Sequence, residues 1–281
     1  MHVFSDIKSI QEHLAKLHSD FKIGFVPTMG ALHQGHLSLI NQAQKANDIV
    51  VVSIFVNPTQ FDNLADLDNY PRTLDTDLEL LNKVNCDIVF TPTVSEMYQP
   101  NEQKIHFDFD GIEYEMEGKY RVGHFDGVGT IVKKLFEIIK PCNAYFGEKD
   151  FQQLQIVKKL VETLKLPIKI VPCAIYREED GLAMSSRNMR LNKNQRQAAP
   201  LIYKTLTSAK EKFGTISVDK LKQWVDTQFA NHPFLTLEYF EIASEQSLKP
   251  YEVCQENEPF RAFIAVYADD IRLIDNISLG N

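Results

Sequence analysis

The chain has 281 residues, 44% of them hydrophobic, with 30 Lys plus Arg against 38 Asp plus Glu and a formal net charge of −8. Its length exceeds the usual single-domain size and its apolar fraction supports a sizeable core, so the chain is globular, with one large domain and a smaller one expected. The acidic balance argues against a nucleic-acid-coating surface, and any anion must be met by local basic groups.

Near the start, Ile7, Ile10, Leu14 and Leu17 fall at helical spacing among charged residues, which predicts an amphipathic helix and not the apolar core of a signal peptide. No stretch reaches membrane-spanning length. Residues 22–28 (KIGFVPT) predict a buried strand, and residues 37–46 a helix with Leu37, Ile40 and Ala43 on its apolar face. Residues 49–56 form a continuous apolar run; 87–91, 143–146 and 168–175 are shorter candidates for buried parallel strands. Leu74, Leu78, Leu81 and Val84 mark one intervening helix, Ile131, Leu135 and Ile138 a second, and Leu154, Val157, Leu160 and Leu164 a third. This alternation implies right-handed crossovers and an α/β fold, a Rossmann-like doubly wound parallel sheet.

After about Ile175 the pattern changes. Helices over 194–213 and 218–229 are followed by strands over 236–242, 261–267 and 271–277, the last two joined by Ala268-Asp269-Asp270 as a hairpin turn. The expected division is residues 1–176 for the Rossmann-like domain and 177–281 for a smaller C-terminal α+β domain. Cys86, Cys142, Cys173 and Cys254 are scattered without a CxxC pair, as for reduced, buried structural thiols in a cytoplasmic protein.

The most informative motif is His33-Gln34-Gly35-His36, at the point where a strand pattern becomes a helical one. Unpaired N–H groups and the positive end of the helix dipole make that position a site for an anion, and two imidazoles add donors. Two close histidines could instead ligate a metal, but no Cys or carboxylate follows at a spacing typical of zinc sites. In doubly wound sheets ligands bind beyond the carboxyl ends of the strands, and polar clusters fall there repeatedly: Pro27-Thr28-Met29-Gly30, Asn57-Pro58-Thr59-Gln60 and Gly147-Glu148-Lys149-Asp150. Further on, Met184-Ser185-Ser186-Arg187 offers two hydroxyls and a guanidinium, which suit a polyphosphate, although a solvated loop capping the next helix is the competing reading.

Taken in order, PTMGALHQGH, NPTQF, YPRT, GHFDGV, FGEKDFQQL and DGLAMSSRN, spanning residues 25–190, resemble the pantothenate synthetase (pantoate–β-alanine ligase) family of the nucleotidyltransferase superfamily. There HxGH pairs with a KMSKS-like loop that MSSR resembles, and RLIDNI near the end is similar too. The resemblance implies ATP-dependent ligation of (R)-pantoate to β-alanine through a pantoyl-adenylate, with AMP and pyrophosphate released, in pantothenate and coenzyme A biosynthesis. It implies that ATP is held by Met29, Gly30, Ala31, Leu32, His33, Gln34, Gly35 and His36, by Gly147, Glu148, Lys149 and Asp150, by the backbone near Tyr176, and by Met184, Ser185, Ser186 and Arg187. His36 takes the proton-donor role with His33 beside it, and Lys149 and Arg187 offset phosphate charge. Gln60 holds pantoate and meets β-alanine, and Gln153 holds pantoate; a neutral amide can donate to a carboxylate and accept from a hydroxyl. The resemblance further implies a lid role for 177–281, a homodimer, and Mg2+ accompanying ATP without a metal-ligand set in the chain. Neither nucleic acid nor membrane is expected as a partner.

Three positions depart from the family pattern: Val122 where proline follows the arginine, Ala65 where an acidic residue is usual, and Tyr176 in place of a small aliphatic. Two rival readings are a nucleotide adenylyltransferase, which needs an extra basic pocket for a second phosphate, and an adenylate-binding regulator. Intact His33, His36, Lys149 and Arg187 speak against the regulator. An RNA-charging synthetase is disfavoured by the acidic balance and the absence of a recognisable anticodon-binding domain.

Overall fold

A computed structural model describes residues 1–61, 64–100, 102–253 and 258–280, without the side chains of residues 64, 65 and 253. Cys254 and the side chain of Ala65 therefore lie outside the described residues. The chain forms two compact units, Met1–Glu148 with Gln153–Ala174, and Lys149–Gln152 with Ile175–Asn281.

In chain order the first unit contains β1 (His2–Phe4), α1 (Ile7–Leu14), β2 (Ile23–Thr28), α2 (Gln34–Gln44), β3 (Ile49–Ile54), α3 (Leu64–Asp68), α4 (Leu74–Lys83), β4 (Ile88–Phe90), α5 (Val94–Met97), α6 (Glu117–Tyr120), α7 (His124–Ile139), β5 (Asn143–Gly147), most of α8 (Phe151–Thr163) and β6 (Lys169–Cys173). Among the described residues the six strands pair in parallel in the order β1-β4-β3-β2-β5-β6. The chain winds outward from β2 through β3 and β4, then returns to β5 on the other side of β2. The switch point of this doubly wound sheet therefore lies between β2 and β5, where a ligand crevice is expected.

The central strands read as unbroken apolar runs because both faces are covered. On one face Val26, Val50, Val52 and Val89 pack with Leu37, Ile40, Ala43 and Leu81. Neighbouring side chains point the other way, and there Phe25 meets Phe136 of α7 edge-on at 6.3 Å. Two local expectations change. The N-terminal helix ends at Leu14 and does not reach Leu17; Asp6 caps it by accepting from the Ser9 N–H at 2.8 Å. Strand β1 precedes it, pairing His2 with Ile88 through Phe4 with Phe90. Three residues are too short to show a period.

The second unit contains α9 (Lys193–Ala198), α10 (Leu201–Lys212), α11 (Val218–Phe229) and an antiparallel sheet β7-β8-β9 (Thr236–Ser244, Phe260–Ala268, Ile271–Gly280). Ile202, Leu206, Leu221, Val225, Ile264 and Val266 build its core. The single helix expected over 194–213 is two, because Pro200 has no N–H to continue the α-helical ladder and instead caps α10. Asp269, at φ +53, turns the β8–β9 hairpin. The cysteines also divide: Cys86 and Cys173 are buried, but Cys142 is exposed, contrary to a uniformly buried set. No helix among the described residues is long and apolar enough to cross a membrane.

Candidate active site

The path from β2 into α2 is set by a buried acid on another helix. Thr28, at the end of β2, donates its hydroxyl to the Ser53 carbonyl at 2.8 Å and accepts the Gly30 N–H at 3.2 Å. Gly30 and Ala31 then both turn left-handed, at φ +81 and +48. A side chain at Gly30 would press on Asp77 Oδ2 and Ile54. Ala31 has no glycine freedom, and such a conformation costs an L-residue about 1–2 kcal/mol. The compensation comes from Asp77 of α4, 1% exposed. Its Oδ2 accepts the Ala31 N–H at 2.9 Å, and its Oδ1 accepts the Leu32 N–H at 2.7 Å and the Thr73 hydroxyl at 3.2 Å.

The chain leaves this latch at His33, the extended N-cap of α2, with Gln34 exposed, Gly35 buried and His36 at the third helical position. The His33 N–H approaches His36 Nδ1 at 3.3 Å, and the two rings lie 4.0 Å apart, tilted by 32°. A backbone N–H can only donate, so Nδ1 accepts and the proton of a neutral His36 sits on Nε2. The first turn of α2 thus carries, at its positive end, an imidazole prepared as a donor.

Gln60 closes the short 3-10 turn Pro58–Gln60 after β3 and is buried. Its side-chain oxygen accepts from Asn57 Nδ2 at 3.2 Å, and its Nε2 faces the Met29 sulfur at 2.9 Å. Asn57 is itself oriented: Tyr98 donates to its Oδ1 at 2.7 Å and its amide donates to the Gly127 carbonyl at 3.2 Å. The Gln60 carbonyl lies 2.7 Å from His124 Nδ1 and 3.4 Å from the Arg121 guanidinium, and Arg121 also reaches His124 Nε2 at 3.3 Å. Guanidinium only donates, so Nε2 accepts and Nδ1–H is the donor to Gln60. Any side chain at Gly127 would run into the Thr59 carbonyl, which explains the glycine in the first turn of α7. Sequence reading gave no role to Asp77, Asn57, Tyr98, Arg121, His124 or Gly127. GHFDGV, which carries His124 and Gly127, and NPTQF, which carries Asn57, are the available signals; Asp77, Tyr98 and Arg121 lie outside the quoted motifs.

Met29 to His36 and Gln60 are thus gathered in the first unit, where Gly147 ends β5, Glu148 follows it, and Gln153 is half-buried on α8. The remaining candidates belong to the second unit. Lys149 is half-buried and Asp150 exposed, and the Lys149 carbonyl accepts from Asn276 Nδ2 at 2.9 Å. The Tyr176 carbonyl accepts the Met184 N–H at 3.0 Å, and Arg177 bridges Ala183, so the chain folds back before the serines. The Tyr176 ring is exposed. Ser185 caps the turn Ser186–Arg190, its hydroxyl accepting the Arg187 N–H at 3.3 Å. Asn188 donates to Glu178 at 3.0 Å and to the Ala183 carbonyl at 3.1 Å. This segment is an ordered turn tied to its own base.

Comparison with known proteins agrees over the full length. A family model described as pantoate-beta-alanine ligase matches residues 2–278. Curated relatives named pantothenate synthetase include that of Christiangramia forsetii, 54% identical with all of both chains covered, and that of Flavobacterium psychrophilum, 54% identical over 99% of this chain and all of the relative. Among solved structures, pantothenate synthetase from Thermus thermophilus superposes with a TM-score of 0.91 at 37% identity over all of both chains. Pantoate-beta-alanine ligase from Francisella tularensis, complexed with beta-gamma ATP and beta-alanine, gives 0.83 at 37% identity over 99% of this chain and 98% of its own.

Proposed function

The chain belongs to the pantoate-beta-alanine ligase family and joins pantoate to β-alanine using ATP, and we propose that it does so through a pantoyl-adenylate. Attack of the pantoate carboxylate on the α-phosphorus adds negative charge to the phosphate oxygens and releases pyrophosphate, and that charge needs fixed donors. The observation that carries this reading is the His33 N–H on His36 Nδ1, which leaves His36 Nε2–H as a donor at the start of α2. In this reading His36 donates to the phosphate at the reacting centre and His33 stands beside it. Lys149 and Arg187 supply positive charge, and Ser185 and Ser186 supply hydroxyls.

Gln60 and Gln153 take pantoate. Gln60 suits the task because both ends of its amide and its carbonyl are already oriented, so little entropy is lost on binding. A cation there would grip the carboxylate and blunt its nucleophilicity. β-Alanine then attacks the acyl carbon of the adenylate, with Gln60 placed to meet it, and AMP leaves.

Mg2+ is expected with ATP. Such an ion is held chiefly by the phosphates and water, and among the described residues no three His, Cys, Asp or Glu side chains gather to hold a metal. By family resemblance we also read residues 177–281 as the lid domain and the enzyme as a cytoplasmic homodimer. Light scattering that shows only monomer would remove the dimer.

Isotope exchange tests the order of events. With ATP, pantoate and labelled pyrophosphate but no β-alanine, label should enter ATP, and omission of pantoate should abolish this. Added β-alanine should give pantothenate and AMP. Appearance of ADP and orthophosphate would overturn the adenylate route, exchange without pantoate would overturn the pantoate assignment, and no exchange at all would favour a nucleotide-binding regulator.

A further inference from the structure

Strand β9 places Asp275 and Asn276 side by side, 4% and 1% exposed, and their side chains bind different arginines, although Arg177 also donates to the Asn276 carbonyl at 3.4 Å. Asp275 takes Arg177 in a two-pronged pair, 2.7 Å to one guanidinium nitrogen and 3.0 Å to the other. Arg177 also donates to the Gly181 carbonyl at 3.1 Å and stacks on the Tyr203 ring at 3.8 Å, which fixes the root and the return of the segment that leads into Met184–Arg187. Asn276 accepts from Arg261 at 2.6 Å through Oδ1 and donates through Nδ2 to the Lys149 carbonyl at 2.9 Å. Arg261 in turn pairs with Glu245 at 3.1 Å and lies over the Phe151 ring at 4.1 Å.

The Asn276 amide admits one orientation. Guanidinium only donates and a backbone carbonyl only accepts, so a flipped amide would oppose like with like at both ends. The four residues Lys149–Gln152 group with the second unit although they sit in sequence between β5 and the body of α8. Among the contacts that tie them there are those made by Asn276 and Arg261 and the packing of Phe151 on the Phe263 ring at 5.9 Å.

Resting on the adenylate-forming role of Lys149 and Arg187, we propose that Asp275 and Asn276 are positioning residues that hold both cation-bearing segments on one strand, with Asn276 acting through the Lys149 backbone. Each acts through a neighbouring residue: Asp275 through Arg177 and Asn276 through the Lys149 carbonyl. Asn276 determines where the Lys149 peptide sits, and Asp275, through Arg177, determines where the turn carrying Arg187 begins. The last strand thereby becomes part of the phosphate-handling machinery.

The discriminating experiment is a double-mutant cycle. Asn276→Asp keeps an acceptor for Arg261 but replaces the donor that faces the Lys149 carbonyl with an oxygen. It should lower the pantoate-dependent pyrophosphate exchange rate by roughly tenfold while the KM for pantoate stays within about twofold. In a Lys149→Ala background the same substitution should cost little more, because the group it positions is gone. If the two losses multiply, or if Asn276→Asp exchanges as wild type does, the positioning role is overturned. Should Asn276→Asp fail to fold, Asn276→Ala, which removes the donor without adding a charge, goes through the same cycle. If wild type shows no exchange, the adenylate reading fails by itself. The cycle is then read in ATP dissociation constants by calorimetry, where coupling supports the anchor and independence overturns it.

Discussion

The carboxylate of Asp77 accepts the backbone N–H of Leu32 at 2.7 Å across 45 positions of sequence, one residue before the histidine that caps α2. With Ala31 held at 2.9 Å by the other oxygen, a single buried acid from α4 stabilises a turn in which Ala31 is left-handed. Asp77→Ala leaves two buried donors without a partner, which should cost about 2–6 kcal/mol of stability, each unsatisfied group contributing about 1–3. Asp77→Asn keeps one acceptor and should melt closer to wild type yet lose at least about tenfold in exchange rate, since misplacing a donor by a fraction of an ångström is costly. Thermal melts and exchange assays on the two variants check this. Wild-type rates in Asp77→Asn would mean that the turn holds its geometry unaided.

His36→Ala removes the Nε2–H donor and should raise the barrier to adenylate formation by about 2–4 kcal/mol, as for loss of a transition-state donor. ATP affinity, measured by calorimetry, should change less than turnover. A variant that turns over normally would reduce His36 to a helix-capping residue.

Gln60→Ala and Gln153→Ala should raise the KM for pantoate much more than that for ATP, because a buried substrate group loses its partner while the nucleotide contacts survive. Steady-state kinetics with each substrate varied in turn gives the split. An equal rise in both would move these amides to the nucleotide or to the scaffold.

The thiols give a prediction with a pH sign. Burial pushes Cys86 up to about 12 and Cys173 up to about 11, whereas Cys142 is exposed. Iodoacetamide at pH 8, read by peptide mass mapping, should modify Cys142 and spare Cys86 and Cys173 until the chain is unfolded. Between the ordinary thiol range and those raised values the unfolded chain releases protons that the folded chain retains, so stability should fall as pH rises above about 9. Melts at pH 8 and 10 compared with those of Cys86→Ala should show a shallower decline in the variant. Rapid labelling of Cys86 in the native state would contradict the packing of β4 against α4.

By itself the sequence determined the features that live in local periods and short motifs. Apolar runs buried on both faces mark parallel strands, a leucine every third or fourth residue marks the helices between them, and His33 to His36 at a strand–helix junction mark an anion site, because each follows from chain geometry within about ten residues. Tertiary structure decided what depends on partners far apart in the chain. Nothing local says that Asp77, one acid on a helix whose face reads as Leu74, Leu78 and Leu81, turns inward to two amides of another turn. Nor does it say that His2 to Phe4 extend the sheet beside β4, or that Cys142 lies outside while Cys86 and Cys173 do not. The same holds for Asn276 and the Lys149 carbonyl, 127 positions apart. A buried polar group must find a partner, but which partner it finds is set only when the strands and helices have packed.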